Sequence, residues 1–92
     1  PDRDEAARRE VLDVHLADRP LADDIDRDDL AARTGGFSGA DIAAVVREAS
    51  IRAIEDVAEA YEGEAANDHA DEVVVTRDHF EAALARVEAS SG

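Results

Sequence analysis

Apolar residues return at helical spacing in four stretches of the chain. In the first, roughly Glu5 to Asp18, a rotation of 100° per residue puts Ala7, Val11, Leu12, Val14 and His15 on one side, with Arg8 flanking it. Pro1 to Asp4 reads as a polar lead-in. Arg19-Pro20-Leu21 stops the helix, because Pro20 cannot continue it and restricts Arg19. Leu21 and Ile25 are then placed to cover the base of a core. Asp26 is the N-cap of a short helix, about Arg27 to Arg33, with Asp29 at its third position and Leu30 and Ala31 facing inward.

The third helix is the longest, about Gly39 to Tyr61. Ile42, Val45, Val46, Ala49, Ala53 and Val57 form a continuous stripe along it. Ile51 falls on the opposite side, where it either meets the fourth helix or faces a neighbouring subunit. Glu62 to Glu72 is Gly, Ala, Asn, Asp and Glu around His69, and reads as a solvated, disordered loop with His69 exposed. Val73-Val74-Val75 is β-branched and short, which favours an extended segment. Thr76 caps the last helix, about Arg77 to Ala89, whose buried stripe is Phe80, Ala83, Leu84 and Val87; Ser90 to Gly92 should fray. The pattern predicts an all-α bundle of four helices in one domain, residues 1–92, with no internal repeat.

The chain turns on Thr34 to Ile54. Thr34-Gly35-Gly36-Phe37 reads as a turn, with Phe37 plugging the gap between the second and third helices. Ser38 is a good N-cap for the third, and Asp41 completes an acidic variant of the capping box. Gly39 and Ala40 are then the first two helical residues. Glycine is out of place there unless something approaches the backbone closely. A helix start offers free N–H donors and the positive end of the helix dipole. Physics alone favours the plainer reading, a capped helix after a loop.

Charge narrows the partners. There are 24 acids against 10 basic residues, a net charge of −14, and every basic residue is Arg. Such a surface repels phosphates and anionic lipid, which argues against nucleic acid and membrane as partners. Acids scattered over all the helices, with no lysine, fit adaptation to molar salt; an acidic protein-binding face is the other reading. Aromatics make up only 3% of the residues, so Ala, Val, Leu and Ile build the core with Phe37, Phe80 and Tyr61. Absence of cysteine excludes disulfides and zinc ribbons, and no apolar run is long enough for a membrane helix. The chain reads as cytoplasmic.

Little chemistry of its own is encoded. Without lysine there is no phosphate-cradling Gly-x-x-x-x-Gly-Lys loop, and no Asp-Glu pair follows an apolar strand. His15, His69 and His79 lack metal-ligand spacing. Carboxylate pairs abound by composition, so no catalytic residue and no metal site is assigned. His15, amid the apolar side of the first helix, is readable as a packed core histidine. Arg47 reads as a surface salt-bridge partner.

Gly36-Phe37-Ser38-Gly39-Ala40-Asp41-Ile42, followed by Arg47-Glu48-Ala49, closely resembles the second-region signature of AAA+ ATPases. The match is to the clade of valosin-containing-protein-like unfoldases, proteasomal ATPases and membrane AAA proteases. Pro1-Asp2, Arg8 and His15 resemble the family's order in the first lid helix, with a slightly longer gap from Pro1 to Arg8. Thr76-Arg77-Asp78-His79-Phe80 and Val87-Glu88-Ala89-Ser90 look like its last. The resemblance covers nearly the whole chain and implies the small C-terminal helical lid that follows the P-loop domain, here of haloarchaeal type.

That family likeness implies contact with ATP at the nucleoside edge: Val14 beside the base, His15 at the ribose and adenine, and the backbone of Gly39 and Ala40 at the nucleoside. Magnesium would belong to the large subdomain outside this chain. Ala40 stands where other clades carry an arginine sensor, so no sensor is assigned. The implied partners are the lid's own P-loop subdomain, neighbouring subunits of a hexameric ring and protein substrates to be unfolded. The chain alone should not hydrolyse ATP, although its parent should. The alternative from charge alone is an autonomous acidic helical adaptor for a basic protein.

Overall fold

The computed structural model describes residues 3–62 and 64–91. Expectations for Pro1, Asp2, Gly63 and Gly92 lie outside them. Four principal helices form the fold: α1 (Arg3–Leu16), α2 (Arg27–Arg33), α3 (Gly39–Ala60) and, after a short α4 (Glu64–Asp68) and a 3-10 turn (Ala70–Glu72), α5 (Arg77–Ser91). No strand occurs among the described residues; the extended Val73–Val75 segment contributes a single parallel bridge, Leu21 to Val75. Its bonds are Val75 N–H to the Pro20 carbonyl at 2.7 Å and Ala22 N–H to the Val75 carbonyl at 3.0 Å. The architecture is the expected all-α bundle.

Helix α3 is the spine. Ile42, Val45, Val46, Ala49 and Ala53 are buried along it, and Val57 is half-buried. Phe80, Ala83, Leu84 and Val87 of α5 close on that stripe, and Leu12, Leu16, Leu30 and Ala31 complete the core. Alanines at the α3–α5 seam let the two helices approach closely. Ser50, the one polar residue of α3 that is buried as a whole, donates its hydroxyl to the Val46 carbonyl at 2.8 Å, so that hydroxyl is paired.

Several expectations need correction. Helix α1 ends at Leu16, two residues early, because Arg19 N–H turns back onto the Leu16 carbonyl ahead of Pro20; Arg3 and Asp4 are helical, not a lead-in. Its buried ridge is Arg8, Leu12 and Leu16, spaced i, i+4, i+8; Val14 points outward at 74% exposure and Ala7 is exposed. Leu16 was absent from the expected stripe. Residues 64–72 are not an irregular loop. The Tyr61 and His69 rings stack with centroids 3.8 Å apart, and both side chains reach Glu72, which ties α4 and the 3-10 turn to the end of α3. His69 is therefore engaged rather than merely exposed. Helix α5 extends through Ser90 and Ser91 instead of fraying at Ala89. Ile51 remains 42% exposed, so the fourth helix does not cover it.

Polar groups join α1 to α2. Arg8 is 9% exposed and its Nε donates to the Ala31 carbonyl at 2.9 Å, placing a cation at the negative end of α2. The buried Thr34 hydroxyl serves the Leu30 and Ala31 carbonyls at 3.0 and 3.2 Å, satisfying acceptors that the helix end leaves open. Asp13 takes Arg9 and Arg27, and Arg9 also reaches Asp28. Arg27 above all, then Arg9, holds the Asp13 carboxyl below the usual carboxylate range. Arg33 forks onto Glu81 of α5 and likewise depresses that carboxyl.

Candidate functional site

The turn into α3 forms as the sequence requires. Phe37 N–H closes onto the Thr34 carbonyl at 3.0 Å, and Gly36 takes a φ of 83°, which a side chain would resist. The capping box is complete in both directions: Asp41 N–H to Ser38 Oγ and Ser38 N–H to Asp41 Oδ2, each 3.1 Å. Two donors at this end are left over. Among the described residues, nothing accepts from the N–H groups of Gly39 and Ala40.

Gly39 needs no special backbone angle, and a Cβ built on it would meet nothing within 4 Å. The folded chain by itself therefore gives no reason for glycine at that position. Gly39 faces a shallow groove of about 320 Å³ between α1 and the start of α3, lined by Ala7, Arg8, Val11, Gly36, Phe37 and Ile42 besides itself. One wall is a helix face; the other is a helix start with free donors. Such a place suits a flat, partly polar group that approaches backbone from the side.

Only Gly39 of the four expected site residues lines this groove. Ala40 is exposed beside it on the first turn. Val14 and His15 lie one turn beyond Val11 on α1, past the groove. His15 is half-buried, and it makes no hydrogen bond or ion pair to a described residue. It is thus not a core histidine held by a partner. Ala7, Val11 and Phe37 were not singled out as site residues; the i, i+4, i+8 spacing of Ala7, Val11 and His15 was the available signal.

Other candidates thin out. No group of His, Asp and Glu among the described residues could hold a metal ion. Arg47 is exposed and enters no ion pair with a described residue; its neighbour Glu48 is taken by Arg52 and Arg86 instead. No helix of the described residues is long and apolar enough to cross a membrane.

The chain is 43% identical over 91 residues to a cell division cycle protein 48 homolog of Archaeoglobus fulgidus, covering 98% of this chain and 12% of that protein. It is 52% identical over 56 residues to the ATP-dependent zinc metalloprotease FtsH 2 of Sphaerobacter thermophilus, covering 61% of this chain and 8% of that one. Protein SAV of Sulfolobus acidocaldarius matches at 44% over 57 residues, 62% of this chain and 7% of that protein. The chain therefore spans no more than 12% of the length of these relatives. The model of one family, the AAA+ lid domain, matches residues 24–82, and on that match the chain belongs to the AAA+ lid domain family.

Proposed function

We propose that this chain is the C-terminal lid of an ATP-hydrolysing AAA+ ATPase, closing over bound ATP and passing the consequence of hydrolysis to the rest of a hexameric ring. The observation that carries the reading is the bare backbone at Gly39: two free N–H donors, no side chain and open space on the groove side. A nucleoside approaching there explains a glycine that the fold does not need. Val14 and His15 extend the same side of α1 and reach the base and ribose, and Ala40 adds its backbone beside Gly39. The P-loop, magnesium ligands and water-orienting acid belong to a large subdomain outside the chain, so the lid contributes binding and closure rather than a catalytic group.

The relative named as an ATP-dependent zinc metalloprotease supports work on protein substrates. The net charge of −14 without lysine supports a haloarchaeal parent, and stability should rise across a KCl series as the Debye length falls from about 30 Å to about 3 Å. A flat melting profile would remove that part of the reading.

The decisive experiment measures ATP affinity in the intact enzyme. Gly39→Val should weaken binding beyond any loss of lid stability, since valine at a helix start costs the helix nothing relative to glycine. His15→Ala should lose about 1 kcal/mol, the worth of one hydrogen bond. If affinity is unchanged, or falls only in proportion to unfolding, these positions are structural and the nucleotide-binding role fails.

A further inference from the structure

A second histidine sits at the seam between α3 and α5. His79 is the third residue of α5, the place where a capping box carries Glu or Gln. Its side chain is 13% exposed. Nδ1 accepts the backbone N–H of Thr76 at 2.9 Å and lies 3.1 Å from the Thr76 hydroxyl, while Nε2 is 2.6 Å from Asp56 Oδ2 on α3. The ring thus spans from the first turn of α5 to the C-terminal part of the spine. Thr76 does not cap through its hydroxyl as the sequence suggested; its carbonyl accepts from the His79 and Phe80 N–H groups, and its own N–H is satisfied by the imidazole.

A backbone N–H cannot turn round to become an acceptor. While Thr76 donates to Nδ1, that nitrogen must be unprotonated, and the ring carries its hydrogen on Nε2, aimed at Asp56. A proton added at Nδ1 puts N–H against N–H. The Thr76 hydroxyl can rotate to accept from the new donor, but the backbone N–H loses its partner. Asp56, Glu55 and Glu59 of α3, Asp78 of α5 and the cation Arg52 line the same groove as the ring. Thr76 follows Val75 directly, and Val75 carries the bridge to Leu21.

We propose that His79 is a proton-operated clasp: neutral, it ties the start of α5 to α3, and on protonation it keeps Asp56 but releases the Thr76 N–H beside the Leu21–Val75 bridge. The proposal is independent of nucleotide binding. Its test is an NMR titration of the 92-residue chain from about pH 8 to about pH 5 at fixed salt. At the alkaline end the His79 ring nitrogens should report hydrogen on Nε2 alone. As His79 takes up its proton, the Thr76 amide should shift in step and lose about fivefold to tenfold in exchange protection, the share of one hydrogen bond.

His79→Gln supplies an acceptor that carries no proton to gain, so in that variant the Thr76 amide should stay fixed across the same series. A hydrogen on Nδ1 at the alkaline end, a Thr76 amide indifferent to His79, or the same acid response in His79→Gln would each overturn the clasp. Should the glutamine variant not fold, the tautomer and the Thr76 shift in the native chain decide the matter.

Discussion

The α1–α2 pair and the α3–α5 pair are built from different materials. Helices α3 and α5 meet mainly through Val45, Val46, Ala49 and Ala53 against Phe80, Ala83, Leu84 and Val87, an apolar seam with polar links only at its margins, His79 to Asp56 and Arg86 to Glu48. Helices α1 and α2 share a thinner core of Leu12, Leu16, Leu30 and Ala31, and are laced by Arg8, Arg9, Asp13, Arg27 and Asp28. No Cα atom of α2 comes within 8 Å of one in α5 among the described residues, so α2 reaches α5 through side chains such as Arg33 and Glu81. Aliphatic contact tolerates salt and acid. A laced joint depends on both. The difference teaches that the lid has a robust half that sets its shape and a conditional half that holds the α1 wall of the groove.

The largest effect should come from the aliphatic seam. Leu84 is 1% exposed, and Leu84→Ala should cost about 2–5 kcal/mol of unfolding free energy through a core cavity, measured by denaturant melts. A loss below 1 kcal/mol would mean that the seam is not the foundation. Next, Arg8→Ala leaves the buried Ala31 carbonyl without its guanidinium donor and should cost about 1–3 kcal/mol. Amide exchange should rise in α1 and α2 while α3 and α5 stay protected; a uniform rise would erase the distinction between the halves.

Acid should act more gently and in one direction. The carboxyls of Asp13 and Glu81 are held below their unfolded values by Arg27 and Arg33 respectively. A depressed carboxyl contributes stability above its unfolded pKa, and that contribution is lost as pH falls through the folded value. Stability followed from about pH 5 to about pH 2 should therefore decline, and Asp13→Asn should flatten part of the decline. An Asp13→Asn profile parallel to the native one would show that this pair carries no linkage. The smallest effect belongs to Val14, 74% exposed: Val14→Ser should change stability by less than about 0.5 kcal/mol, despite removing an apolar side chain.

The halves also differ in how much of them could be read from sequence. In α3 and α5 every buried position is small or aliphatic apart from Phe80 and Ser50, and period and burial coincide. In α1 the buried ridge begins with an arginine, while the apolar Val14 faces out; a pattern that counts apolar residues rotates this helix toward the wrong side. The carbonyl of Ala31, brought there by α2, gives the buried Arg8 a partner that the sequence pattern does not reveal. Residues 64–72 were illegible for a similar reason. Their composition is that of a loop, and what orders them is a ring stack and a shared carboxylate between Tyr61, His69 and Glu72. At the candidate site, Gly39 and Ala40 were legible because the capping box fixes the helix start. The groove was not, since Ala7, Val11 and Phe37 become neighbours of Gly39 only through the way α1 lies on α3.

The bridge between Leu21 and Val75 has a consequence for the order in which the lid is made. It joins two segments far apart in the chain, with α2, α3 and α4 between them, so forming it closes a long loop. Local helix formation is fast, and contacts of long sequence separation are slow. On a ribosome, Pro20 to Ala22 would emerge early and wait, their backbone groups still bonded to water, until Val75 followed. The early half of the chain is therefore completed by a residue from the late half, and the domain becomes whole only when nearly all of it has been synthesised.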